Sequence, residues 1–215
     1  MAHPHWPLWD LRIRTPRLEL RTLREQEMSD LVAVIDGGLH DPATMPFLFP
    51  FTDAENPQRA HDAYRHYFRS WANWSPDEWH LQFAVYEGAT CVGTQALDAA
   101  RFPLVRTVGT GSFLGLPHQG RGIGREMRAA VLQLAFDGLG AERAVTSAFE
   151  DNLASQHVTV ALGYRPNGDE VVPRRDGTGR VLRYVLDRDD WAPRRRDDVV
   201  VEGLSPEVLE MFGLP

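Results

Sequence analysis

The chain has 215 residues, 43% of them hydrophobic, which is enough for one well-buried core and cramped for a second independent domain. Its formal charge of −7 argues against duplex nucleic acid or an anionic membrane surface as the main partner, and suits a cationic acceptor such as an amine. The single Cys91 excludes an internal disulfide framework and fits a reducing cytoplasm.

The opening Met1-Ala-His-Pro-His-Trp6 lacks the charged and apolar regions of a secretory leader, and no apolar run reaches membrane-spanning length. His3 and His5 lie close together without further ligands nearby, so they are not read as a metal site. Arg17-Leu-Glu-Leu-Arg21 alternates as an opening strand. Met28, Leu31, Val32 and Ile35 then recur at helical spacing, and Gly37-Gly38 supplies the stop. The segment Asp41 to Phe51 holds three prolines and three phenylalanines, which excludes a regular helix or central strand. Its apolar content argues against disorder, and it is expected to wall a pocket. Ala60, Tyr64, Phe68 and Trp71 form a helical stripe ending near Trp74-Ser75-Pro76. Such a stripe is expected in the core, with Trp71 and Trp74 at its end available to an acceptor. Leu81 to Tyr86 and Cys91 to Leu97 read as a hairpin across Glu87 to Thr90. Cys91 is expected to be a structural thiol, because nothing near it in sequence would lower its pKa.

A central strand from about Val105 to Leu116 runs into Gln119-Gly-Arg-Gly-Ile-Gly124, and a helix follows with Ile123, Met127, Ala130, Val131, Leu134 and Ala135 on one face. The first amides of a helix lack internal partners, and their dipoles add to a partial positive charge. With glycine at Gly120, Gly122 and Gly124, a phosphate can approach those bare N–H groups, so the stretch reads as an anion cradle for a pyrophosphate. Arg121, Arg125 and Arg128 add positive charge beside it, with a solvated helix face as the alternative for Arg128. A P-loop would need Lys-Ser or Lys-Thr after Gly124, where Arg125-Glu126 stand. A dinucleotide fingerprint is met by Gly120 and Gly122, and Glu142 lies at about the ribose-acid spacing, but Arg125 holds the third glycine position.

A second strand-to-helix unit follows, Ala144 to Phe149 and then Leu153 onward. Glu170-Val-Val-Pro173 and Val181 to Leu186 make a closing hairpin. In the tail, Arg194-Arg-Arg196 reads as a solvated junction, Val199-Val-Val201 needs a partner edge, and Ser205-Pro206 begins a short helix.

Gln119, Gly122 and Gly124 match the pattern Gln/Arg-x-x-Gly-x-Gly/Ala without a gap, and Asn152-x-x-Ser155 followed by Leu162-Gly163-Tyr164 comes at the expected distance. Through these two segments the chain resembles the GNAT superfamily of acyl-CoA N-acyltransferases over roughly residues 15–191. The likeness is closest to the branch that acylates N-terminal amines of ribosomal proteins. The resemblance implies an α+β fold, with a central mixed, mostly antiparallel sheet flanked by helices and splayed at its central strands. It implies one acyltransferase domain over residues 1–190; residues 191–215 are an extension that, because its Val run needs a partner edge, is expected to pack on the domain or on a second subunit, and a homodimer is expected. By the same resemblance, Leu114 and Leu116 would meet pantetheine through main chain. Gln119, Gly120, Arg121, Gly122, Ile123, Gly124 and Arg125 would hold the pyrophosphate, and Asn152 would bond the arm from the other side. The first strand and helix would border the acceptor entrance.

Acyl transfer from a thioester needs no metal and no enzyme nucleophile. It needs a bound donor, an uncharged amine at attack distance, a polarised carbonyl and a proton for the departing thiolate. Many superfamily members place a tyrosine four residues before the glycine of the second segment, and that position is Thr159 here. Ser155 is the expected acid in its place, with a purely local helix-turn role as the alternative. The base stays open among His118, Asp98, Glu150 and Asp151. Acetyl-CoA is the first expectation for the donor and succinyl-CoA the second, since all 23 basic residues are arginine, the side chain suited to carboxylates. Two other classes remain: a non-catalytic acyl-CoA sensor, and a dinucleotide-binding oxidoreductase.

Overall fold

The computed structural model describes residues 3–215. In chain order its strands are β1 (Arg12–Arg14), β2 (Leu18–Thr22), β3 (Glu78–Glu87), β4 (Thr90–Ala100), β5 (Thr107–Leu114), β6 (Arg143–Phe149), β7 (Arg165–Arg174), β8 (Gly177–Asp187) and β9 (Val200–Glu202). The helices are α1 (Glu25–Asp36), α2 (Gln58–Ala72), the single turn α3 (Phe102–Val105), α4 (Ile123–Gln133), α5 (Leu153–Ala161), α6 (Arg188–Trp191) and α7 (Pro206–Met211). All nine strands join one sheet in the order β7-β8-β6-β5-β4-β3-β2-β1-β9. The fold is thus α+β, with a mostly antiparallel sheet flanked by helices, as the resemblance implied.

Strand β3 shows why the sheet is covered on both sides. Trp79, Leu81, Phe83 and Val85 face a core shared with Met127, Ala130 and Val131 of α4 and with Leu134 just after it. Ala84 and Tyr86 face the opposite side, packed with Leu23, Met28, Leu31 and Tyr67. A strand buried on two faces carries a nearly continuous apolar run instead of alternation. Helix α2 differs from the stripe expected of it, since Tyr67 is buried while Phe68 is exposed. With α2 starting at Gln58, the inward face follows 60, 64, 67 and 71, which leaves Phe68 on its flank.

The parallel pair is the irregularity that matters. Strands β5 and β6 are paired only at Thr107↔Arg143, Val108↔Ala144 and Gly109↔Val145. Beyond Gly109, β6 pairs with β8 alone while β5 stays on β4 as far as Leu114. A wedge opens between the two strands, and the Thr146 hydroxyl donates to Thr110 O (3.0 Å) at its vertex.

The tail extends the far edge. Ile13 of β1 pairs with Val201 of β9, so the short β9 takes the place of β1 as the edge strand. Helix α7, capped by Ser205 Oγ accepting from Val208 N–H, delivers Phe212 against Trp79 (4.9 Å between centroids) and Trp74 (5.3 Å). Trp74 donates its indole N–H to Met211 O, and Trp71 donates its own to Leu23 O. Both tryptophans therefore have their indole N–H groups committed to packing and anchoring. A tryptophan whose N–H is spent on a neighbouring carbonyl is fixed by that bond.

Candidate acyl-donor cleft and acceptor face

The glycine loop has the form of a cradle. Gly120 and Gly122 take φ of +71° and +79°, values in the left-handed region open to glycine, and Gly122 is the N-cap of α4. The first amide of the turn to find an acceptor is that of Glu126, which donates to Gly122 O. Among the described residues no acceptor meets the N–H groups of Ile123, Gly124 or Arg125, and no side chain caps the helix. A cluster of unpaired donors at a helix start binds anions. Gly124 serves packing as well, since a Cβ there would touch Val158 of α5 and Leu114 of β5. Gln119 braces the loop by donating through Nε2 to Leu39 O (2.8 Å) and Leu114 O (2.9 Å). A pyrophosphate fits this set of donors.

The arginines sort themselves differently from their sequence order. Arg125 is exposed and unpaired among the described residues. Arg121 is drawn away to Glu87 (2.8 Å) at the β3–β4 turn. Arg128 is neither beside the cradle nor solvated: it is 4% exposed and sits inside the molecule. Arg17 stands at the cradle instead, holding Glu126 (2.6 Å) and Arg121 O (3.3 Å), about 3.7 Å from where a Cβ on Gly122 would be. Sequence reasoning missed Arg17 because it is over a hundred residues away, on the turn before β2.

From the cradle, β5 leads back toward the vertex. Thr110 O is taken by Thr146 on the β6 side, while Phe113 O lies against Gly93 of β4. By alternation, the main-chain groups of Ser112 and the Leu114 N–H face the open wedge, where an extended ligand arm can pair with them. Leu116 is a different case. Its N–H donates to Gly38 O and its carbonyl accepts from Gln119 N–H, so its main chain is already occupied. On the other wall, Asn152 Oδ1 accepts from Ser155 N–H (3.1 Å) as the cap of α5. Its amide nitrogen is left for a ligand. The Ser155 hydroxyl has no partner among the described residues. Thr159 is buried, accepts from Arg128 Nη1 (2.9 Å) and donates to Ser155 O (2.9 Å), so it has no proton to give a leaving group.

The opposite face of β4 and β5 carries a polar group of another kind. Asp98 is cross-strand from His80 on one side and from Gly109 on the other, at the residue where β5 leaves β6. A Cβ on Gly109 would collide with its carboxylate. Burial alone holds this carboxyl above its usual range. His80 and His66 lie 5.8 Å apart between ring centroids, and burial pushes both below the usual histidine value. Gln82 Nε2 lies 2.9 Å from His66 Nε2 and 3.4 Å from Ser70 Oγ.

Of the other bases weighed, Asp151 is paired with Arg174 (2.9 Å) and Glu150 faces Arg180 (3.9 Å). His118 lines a separate surface cavity of about 370 Å³ with Asp30, Val34 and Cys91. Desolvation raises the Cys91 thiol to about 11, which keeps it protonated.

The proline-rich segment is roofed onto this side by the β7–β8 turn. Arg174 donates to Met45 O through Nη2 (2.6 Å) and Nε (2.8 Å), and Arg175 holds Asp53 (2.7 Å) and Pro42 O (3.1 Å). Beneath the roof, Phe47 and Phe51 pack on Phe113 of β5 (6.2 and 6.0 Å).

A family model described as an acetyltransferase (GNAT) domain matches residues 17–165. Among solved structures, a candidate ribosomal-protein-serine acetyltransferase from Vibrio cholerae superposes with a TM-score of 0.63 at 20% identity, covering 82% of this chain and 97% of that one. RimL, a ribosomal L7/L12 alpha-N-protein acetyltransferase solved with coenzyme A, gives 0.66 at 16% identity over 82% and 97%. The spermidine/spermine N-acetyltransferase SpeG from Vibrio cholerae gives 0.62 at 16% identity over 83% and 98%. At these identities the likeness to solved structures is one of fold.

Proposed function

The chain belongs to the GNAT acetyltransferase family and is an acyl-CoA-dependent N-acetyltransferase, and from that premise we propose that its acceptor is a protein or peptide α-amine. The wedge between β5 and β6 carries this reading. It has a row of unpaired amides for a pyrophosphate at one end and a single unpaired carboxylate, Asp98, at the vertex on the other face. In this assignment Gly120, Gly122, Ile123, Gly124 and Arg125 bind the pyrophosphate, Gln119 braces the loop, and Asn152 holds the pantetheine arm. Asp98 takes a proton from the acceptor ammonium, leaving the neutral amine to attack, and Ser155 faces the sulfur. A raised carboxyl is a better-matched base than an ordinary one, because its pKa is closer to that of the group it deprotonates. An α-amine, with a pKa near 8, asks less of such a base than a lysine near 10.4.

Acetyl-CoA is the donor expected first and succinyl-CoA second. The chain has 23 arginines and no lysine, so its own side chains offer no amine to acylate. Intact-mass analysis of peptide mixtures is therefore free of lysine self-acylation. The test is to offer acetyl-CoA and succinyl-CoA with paired peptides, one with a free α-amine and one α-blocked with a free lysine. Transfer to the α-amine peptide supports the reading, and preference for the lysine peptide overturns it. The homodimer expected from the family is proposed on the same footing, with sedimentation as its measure.

A further inference from the structure

Arg128 is the anomaly of the interior. The residue is 4% exposed, and its guanidinium has no carboxylate within ion-pair reach among the described residues. Nη1 donates to Thr159 Oγ1 (2.9 Å) on α5 and Nη2 to Ser112 Oγ (3.0 Å) on β5, while Nε–H has no acceptor. Burial lowers its pKa, and Tyr164 is the titratable group near it among the described residues, itself held protonated by burial with its hydroxyl 3.5 Å from Thr110 Oγ1. A buried cation without a counter-ion is destabilising relative to an apolar side chain of similar volume, so stability does not account for it. The two elements it bridges are β5, one wall of the wedge, and α5, the helix that follows and packs on the other wall, β6. An anion that forms in the wedge during turnover would supply the missing charge.

We propose that Arg128 is a positioning cation for the leaving group, stabilising through the Ser112 hydroxyl the negative charge that collects on the CoA sulfur. The inference rests on reading the wedge as the channel for the pantetheine arm. The guanidinium engages the Ser112 oxygen as an acceptor, which leaves the hydroxyl proton without an acceptor among the described residues and free to be donated. When the amine nitrogen attacks, the N–C bond forms and the C–S bond breaks, with its electron pair remaining on sulfur. Ser112 then donates a hydrogen bond to the thiolate, strengthened by the cation behind it. Arg128 keeps all its protons. The proton released by the amine nitrogen balances the one the thiolate finally takes up.

The test uses the full chain with CoA, acetyl-CoA and succinyl-CoA, and the variants Arg128→Met, Arg128→Lys and Ser112→Ala. The bound CoA thiol is titrated by its thiolate absorbance, a readout that a merely structural residue would not move. In wild type the bound thiol is expected to ionise below its value in free solution. Arg128→Met should lower the thiolate-to-thiol ratio at a given pH about tenfold or more, which is one pKa unit. It should lower kcat by a similar factor while the acetyl-CoA dissociation constant changes about threefold or less. Arg128→Lys should recover part of the effect, since it keeps the charge but cannot span Ser112 and Thr159 together. Identical thiol titration in wild type and Arg128→Met overturns the proposal. So does a Met variant that loses succinyl-CoA alone and transfers acetyl normally, because that makes Arg128 a carboxylate site. If Arg128→Met does not fold, the other two variants decide, and wild-type titration in both counts against the inference. Failure of wild type to bind CoA would instead remove the reading of the wedge itself.

Discussion

Asp98→Asn separates catalysis from folding more cleanly than any other change in this molecule. The carboxyl lies over Gly109 at the vertex of the wedge, has no partner among the described residues, and is raised by burial alone. A positioned general base contributes about 10²–10⁴-fold, and the lower end applies here because an α-amine is about one-tenth neutral at pH 7 without help. We expect kcat/KM to fall about 100-fold at pH 7, measured by following CoA release with an α-amine peptide. By pH 9 the amine is about nine-tenths neutral in solution, so the defect should shrink by about tenfold. In wild type the acid limb of the profile should sit above the ordinary aspartate range, because activity needs the ionised form and burial disfavours it.

Stability should move the other way. Below the unfolded-state pKa the carboxyl is neutral in both states, whereas above the raised folded value its buried charge opposes folding. Asp98→Asn should therefore be at least as stable as wild type at pH 7, and that advantage should vanish in acid. An unchanged kcat/KM at pH 7, or a defect equal at pH 7 and pH 9, would refute the assignment of Asp98 as base.

Other outcomes follow from the same geometry. Gly122→Asp places a carboxylate among the unpaired amides of α4 and within reach of Arg17, and should weaken CoA binding about 100-fold or more by calorimetry, as an unpaired like charge in the site requires. Ser155→Ala should lower kcat with little change in acyl-CoA affinity, since among the described residues its bonds are made by its main chain and not its hydroxyl; full activity would transfer the proton-donor role to water. Phe212→Ala removes a fully buried ring wedged against Trp74 and Trp79, and should cost about 3–5 kcal/mol in urea unfolding, which tests whether the tail is part of the folding unit.

Much of this molecule was legible in its residues. The glycine loop, the caps and the closing hairpin are local features, set by residues within a few positions of one another. Asn152 at the start of α5 and Ser205 at the start of α7 are found by type and position, because a cap is satisfied by an amide three residues on. The cradle was equally visible, since left-handed glycines before a helix expose its first amides whatever the rest of the chain does. Tertiary structure decided what those features meet. Arg128 reads from sequence as charge beside the cradle or as a solvated helix face, yet α5 and β5 close over it; Arg17 reads as part of an opening strand, yet its turn lies against the start of α4. Asp98 was one of four equal carboxylate and imidazole choices until pairing across three strands put it beside Gly109, with Asp151 and Glu150 facing arginines instead. Helical and strand periods fix which face a side chain takes. Whether that face finds water, a counter-ion or nothing depends on contacts between residues far apart in the chain, and those form only when the sheet assembles.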